Sequence, residues 1–347
     1  MTRRTLARPG RPWLLALLGI FLFCFGHAAG AEVRLSLVKR TPLVKPSGRV
    51  DQVIPLPSSG FLVRDADFQQ EKTQTLEVYD AAGRRARRIG AFGQRPGSYY
   101  RLKGIGLSGG TVLVADVIGR VTLFGEQGAF LGTKLVQAPG FQIDGIAVDP
   151  ERGFFYLGGC LPVKTYVDFG CQLVHQYRLK DRKYVRSFLK SDPDAVAKGL
   201  TALSDIAVDV DGKGRVVAVD APSFKLLRVN PQGGGEEAFP IQSRKARPNG
   251  KLGESRDLKA VYRSSFLVER VVAAGPWAVA VIDLPGKSGS LLQVFDERGR
   301  QVAVDLDPPG KLVGKTAAGN LLFAARKGNG WEIAEHSLAA APAVKGR

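Results

Sequence analysis

Histidine is nearly missing from this chain: three in 347 residues, His27, His175 and His336. Only two lie beyond residue 31, so a three-histidine metal centre cannot be built from one copy. Asparagine is scarce as well, with Asn230, Asn249, Asn320 and Asn329 all in turn contexts. Ser204 and Ser264 stand in no G-x-S-x-G setting, and no G-x-x-x-x-G-K-[ST] run is present. Those two serines lack the setting of an activated nucleophile, and nucleotide-phosphate chemistry lacks its usual carrier. Past residue 31 there is no long apolar run and no long amphipathic helical period. Residues 192–203 hold at most one or two helical turns.

What is abundant is glycine, 42 residues, and positive charge, formally +18 at neutral pH. Four of those charges, Arg3, Arg4, Arg8 and Arg11, precede an apolar stretch at residues 13–25, which is followed by Ala29-Gly30-Ala31. A basic start, an apolar middle and small residues at the end make an export signal. Thirteen apolar residues are few for a hydrocarbon core of about 30 Å, although an uncleaved anchor is the rival reading. The expected division is residues 1–31 as signal and 32–347 as one mature domain, placed in a periplasm or outside the cell. Taking the four arginines from +18 leaves +14. Such a field favours anionic partners, but the basic residues are scattered, which suits a solvated surface and speaks against nucleic acid.

Two cysteines remain after the signal, Cys160 and Cys171, in an oxidising compartment. They bracket ten residues between strand-like runs. No second pair of ligands is spaced for a metal, so a disulfide closing a hairpin is expected, stabilising by about 2–3 kcal/mol in the chain-entropy account.

The rest of the chain is a cadence of short apolar runs separated by glycine and aspartate turns. Residues 32–40 alternate as a half-buried strand does. A proline-containing link follows, then a first group at 60–64, 75–79 and 87–92. The second group is 104–107, 111–115, 120–124 and 130–136, and the third 143–148, 154–158, 171–179 and 184–189. The fourth is 205–210, 215–219, 226–229 and 237–241, and the fifth 266–273, 277–282, 291–295 and 302–306. The last, 311–315, 321–325 and 331–336, is one strand short. Radially repeated four-strand units are propeller blades. The expected fold is all-β: a six-bladed β-propeller whose N-terminal strand completes the last blade, leaving no open sheet edge between the ends. A sandwich or a two-domain split explains the repeat less well.

Residues 89–131 carry the pattern most clearly. IGAFGQRPGSYYRLKGIGL followed by TVLVADVIGRVTLFGEQGAFL resembles NHL-type repeats, with their glycine-rich lead, a strand, V-A-D and a closing turn. The mature chain is similar to the broad group of exported six-bladed propellers, most without an assigned activity.

In such a ring the links between blades and the second-to-third-strand loops share a face. That face would gather residues 94–103, 160–171, 191–203 and 243–259. Tyrosine and arginine dominate recognition hot spots, which makes Arg95, Tyr99, Tyr100, Arg101, Lys103, Tyr166 and Phe169 the candidate contacts. Tyrosines that merely cover the channel are the plainer alternative. Asp65, Asp116, Asp220 and Asp283 recur at second-strand ends and are weak candidates for a cation site. Turn capping explains them as well. The expectation is a rigid binding platform for a protein or an anionic glycan or other envelope component, without cofactor and without assigned catalysis. A hydrolase or lyase with a carboxylate-bound divalent cation in the channel is the alternative.

Overall fold

The computed structural model describes residues 33–44, 49–65, 74–135, 142–160, 172–194, 198, 205–249, 258–287 and 289–340. Residues 1–32, Tyr166, Phe169 and Cys171 lie outside them, as does the side chain of Cys160.

The chain forms a ring of six four-stranded antiparallel sheets. Strand β1 is Val33–Leu43. Blade 1 consists of β2 (Val50–Pro55), β3 (Phe61–Asp65), β4 (Thr75–Tyr79) and β5 (Arg85–Arg88). A small parallel ribbon, β6 (Ala91–Phe92) with β7 (Ser98–Tyr99), leads into blade 2. Blade 2 is β8 (Leu102–Ser108), β9 (Thr111–Asp116), β10 (Arg120–Gly125) and β11 (Phe130–Leu135). Blade 3 is β12 (Gln142–Asp149), β13 (Phe154–Cys160), β14 (Gln172–Arg178) and β15 (Tyr184–Lys190). Blade 4 is β16 (Ile206–Val210), β17 (Val216–Asp220), β18 (Lys225–Val229) and β19 (Glu236–Pro240). Blade 5 is β20 (Leu267–Ala274), β21 (Trp277–Asp283), β22 (Ser290–Phe295) and β23 (Gln301–Leu306). Blade 6 is β24 (Lys311–Lys315), β25 (Leu321–Lys327) and β26 (Gly330–Ala340), with β1 as its outer strand. The sixth blade is thus finished by the start of the chain, as the strand count requires.

Three features depart from the sequence-based expectation, one being that the run expected at 87–92 divides into β5 and the ribbon strand β6. The proline-containing link holds β2, the innermost strand of blade 1, whose VDQVIP breaks the alternation with a polar pair. A short helix, α1 (Leu258–Ser264), precedes blade 5 where a loop was expected.

Propeller blades pack face to face, so the core is divided among the blade interfaces. The buried side chains form six apolar clusters, one per interface. Between blades 1 and 2, for example, Leu62, Leu76 and Val78 meet Ile105, Val112, Val114 and Phe124. Burying a side chain of this size contributes about 1.5–3 kcal/mol. Where blades pinch towards the axis, only glycine fits. A Cβ on Gly314 of β24 would lie 2.1 Å from the carbonyl oxygen of Val53 on β2.

Turn chemistry repeats along with the strands. Four connections carry Asp-x-x-Gly-Arg, at residues 80–84, 116–120, 211–215 and 296–300. In each, the aspartate accepts the backbone N–H and the Nε–H of the arginine four residues on. The intervening glycine has φ of 72–80° in all four, a conformation in which a side chain is strained. The aspartate supplies the local backbone bonds that make it a turn former.

Candidate functional site

The innermost strands β2, β8, β12, β16, β20 and β24 surround a channel of about 2180 Å³. Five of them carry a β-bulge at the same height, one or two residues from the start. Pairing skips Asp51 in β2, Lys103 in β8, Asp144 in β12, Glu269 in β20 and Val313 in β24. An unpaired bulge residue is re-aimed relative to the strand, and all five line the channel. In blade 4, which has no bulge, Asp205 lines the channel just before β16. The repeat therefore sets a collar of charged side chains at one mouth of the channel. It is the mouth at which the links between blades enter.

The collar is polarised. On the side of blades 5, 6 and 1, Asp51 is 2% exposed and is approached by three cations. Arg64 and Lys311 contact it directly, and Arg270 lies at 3.7 Å. Arg64 also donates to the carbonyl of Leu102 in blade 2, at 3.3 Å. On the side of blades 2, 3 and 4, Lys103 Nζ is 3.4 Å from Asp144, whose other oxygen accepts the N–H of Ile206 at 3.4 Å. Glu269, Asp205 and Asp283 border the two halves.

Burial dominates the ionisation of these groups. It lowers the Arg64 guanidinium to about 9, and the positive charge of Arg270 pushes the same way while Asp205 opposes. Lys311 is held well below its ordinary value by burial, then by Arg270 and Arg49. Arg270 is lowered and Asp205 raised, each chiefly by burial.

The residues expected to form a contact face separate into three kinds. Tyr99 is fully buried in the cluster between blades 1 and 2, and its hydroxyl accepts the N–H of Leu76 at 3.1 Å. Its role is to anchor the loop of residues 94–103, because an aromatic ring of that size is worth more inside than at a rim. Tyr100 packs on Phe92 with ring centroids 5.2 Å apart. Arg95 and Arg101 are exposed, and Arg101 has φ of 51°. Lys103 belongs to the collar.

The four second-strand aspartates lie one strand outside the collar, paired in register with the first residues of the innermost strands or their neighbours: Val50 with Asp65, Leu102 with Asp116, Ile206 with Asp220 and Leu267 with Asp283. Asp116 is committed to Arg120, 2.6 Å away, and to the N–H of Tyr100 at 3.0 Å. Arg120 in turn donates to the carbonyls of Gln94 and Gly93. Asp65 and Asp220 are buried, and Asp283 lines the channel. Among the described residues no three His, Cys, Asp or Glu side chains are grouped to hold a metal ion.

The collar was concealed in the sequence. Its signal is the recurrence, at the start of innermost strands, of an apolar residue, a charged one, then Gly or a polar residue: Leu102-Lys103-Gly104, Ile143-Asp144-Gly145, Val50-Asp51-Gln52 and Val268-Glu269-Arg270.

No family profile matches the chain, and no curated protein matches it. Solved structures do. A Bacteroides fragilis protein assigned as exported is 11% identical with a TM-score of 0.60, covering 90% of this chain and 96% of its own. The WD40 repeats of RRP9 are 10% identical with a TM-score of 0.53, covering 88% and 100%. A streptogramin B lyase is 11% identical with a TM-score of 0.50, covering 89% and 99%. At these identities the likeness is one of fold. The chain is a six-bladed β-propeller.

Proposed function

We propose that this protein is an exported binding platform that takes an anionic envelope component at the collar mouth of its channel. The observation that carries the reading is the collar itself. Five bulges at one level are a repeated device for turning side chains inward, and four of the five turn a charged side chain. A scaffold needing only stability would fill those positions with apolar groups, since buried charge costs more than it returns. Loops on a rigid scaffold are where binding concentrates, and the link that leads into β8 carries Arg95, Tyr100 and Arg101. The net positive charge of the chain draws anionic partners towards it. Export is supported by the three-part N-terminal segment, residues 1–31.

The test is capture of fractionated envelope polysaccharide and lipid vesicles by the immobilised mature chain, compared with an Arg95→Glu, Arg101→Glu double variant. At least a tenfold loss of capture in the variant is expected. Unchanged capture by the folded variant would exclude this face, and a protein as the sole captured species would replace the anionic component with a protein partner.

A further inference from the structure

Resting on that reading, we propose that Arg64, Arg270 and Lys311 form a seat for a single oxyanion group, a carboxylate, phosphate or sulfate, carried by a ligand that enters the channel. Three cations from three blades converge on one carboxylate, Asp51. A purely structural ion pair needs one partner. Arg64 is tied down from behind: it is buried, touches Asp51 and donates to Leu102 across the blade interface. Arg270 and Lys311 are different. They keep 22% and 25% of their side-chain surface open and line the channel. Both have more N–H groups than Asp51 can accept.

The surroundings fix the sign of the ligand. Around Lys311 act three cations, Arg270, Arg49 and Arg64, and two carboxylates, Asp51 in direct contact and Glu269. Glu269, Asp283 and Asp205 offset the charge of Arg270, and Lys103 is occupied by Asp144. A cation approaching Lys311 would therefore meet repulsion, and an anion would complete the set. A guanidinium beside an ammonium suits an oxyanion, because the planar fork grips two oxygens and the ammonium supplies a point charge. Asp51, behind them, keeps the three cations tolerable while the seat is empty and limits affinity when it is filled.

The experiment is titration calorimetry of the mature chain at low ionic strength with inorganic phosphate and, separately, with glucuronate as a sugar-borne carboxylate. Saturable one-to-one binding of at least one is expected, and the tighter arm identifies the preferred group. Arg270→Gln and Lys311→Gln should each weaken it by about ten- to a hundredfold, while Lys213→Gln, at an exposed pair with Glu297 that shares no partner with the seat, should leave it unchanged. Asp51→Asn should tighten binding. If that variant does not fold, the glutamine variants still decide. Equal affinity in the wild type and both glutamine variants, or no saturable binding of either anion, overturns the seat. Loss of envelope capture with phosphate binding intact would instead remove only the platform reading.

Discussion

Acid should weaken this propeller through one buried imidazole. His175, on β14, is fully buried. Its Nε2 lies 3.0 Å from the carbonyl of Gly159 and its Nδ1 2.6 Å from the hydroxyl of Ser187. The carbonyl can only accept, so Nε2 carries the proton and the serine hydroxyl donates to Nδ1. That hydroxyl also meets Tyr184 at 2.8 Å. Protonating Nδ1 would place a charge in a dry site. Burial accordingly lowers the His175 pKa from 6.5 to about 4. A folded-state value below the unfolded one means that the stabilisation is complete above pH 6.5 and is lost as pH falls from 6.5 towards 4. At 1.36 kcal/mol per pH unit the whole loss is roughly 3 kcal/mol, on the order of 5–10 °C in Tm. The assay is urea unfolding across pH 4–8 for the wild type and His175→Gln, which keeps a donor and an acceptor but does not titrate. His336, whose value burial and Arg40 also lower, is present in both and cancels. The difference in stability between the two proteins should shrink steadily below pH 6.5. A difference independent of pH would refute the assignment of a neutral ring.

Three further outcomes are expected. Asp51→Asn should cost about 3 kcal/mol in urea unfolding, because it strands the buried Arg64 without its counter-charge; adding Arg64→Met should restore a large part, and strict additivity would contradict the pairing. Tyr99→Phe should cost about 1–3 kcal/mol by leaving the buried Leu76 N–H without its acceptor, measured by thermal melting, with an unchanged Tm as the contrary result. Gly314→Ala should cost about 2 kcal/mol by forcing blades 6 and 1 apart, whereas Gly212→Ala, where an added Cβ meets nothing within 4 Å, should be near neutral; similar effects at both would deny the close approach.

The ring was legible in the sequence because its determinants are local. Strand runs such as Thr111–Asp116 and Val216–Asp220 announce themselves by composition, and Asp-x-x-Gly-Arg turns by spacing. Closure by the strand expected at residues 32–40 was anticipated from the strand missing in the last group, although the first group was itself one run short until β2 supplied it. The collar was not legible for a physical reason. A bulge is a property of two paired strands, and nothing in Val50-Asp51-Gln52 marks Asp51 as skipped until β3 lies beside it. Tyr99 illustrates the opposite error. A tyrosine in a glycine-rich loop has the composition of a contact residue, and only the cavity between Leu76 and Phe124 makes it a core residue.

The pairing of Val33–Leu43 with Gly330–Ala340 also fixes an order of events. A chain delivered N-terminus first, from a ribosome or through a translocation pore, presents β1 at once but its partner about 300 residues later. At roughly 5–20 residues per second the first strand waits on the order of 15–60 seconds, its apolar face without a sheet. Blades 1 to 5 can each form from contiguous chain, but the circle locks only when the last strand arrives. The clasp thus makes the complete chain the unit that folds, and a truncated product is left open where a chaperone or protease can find it.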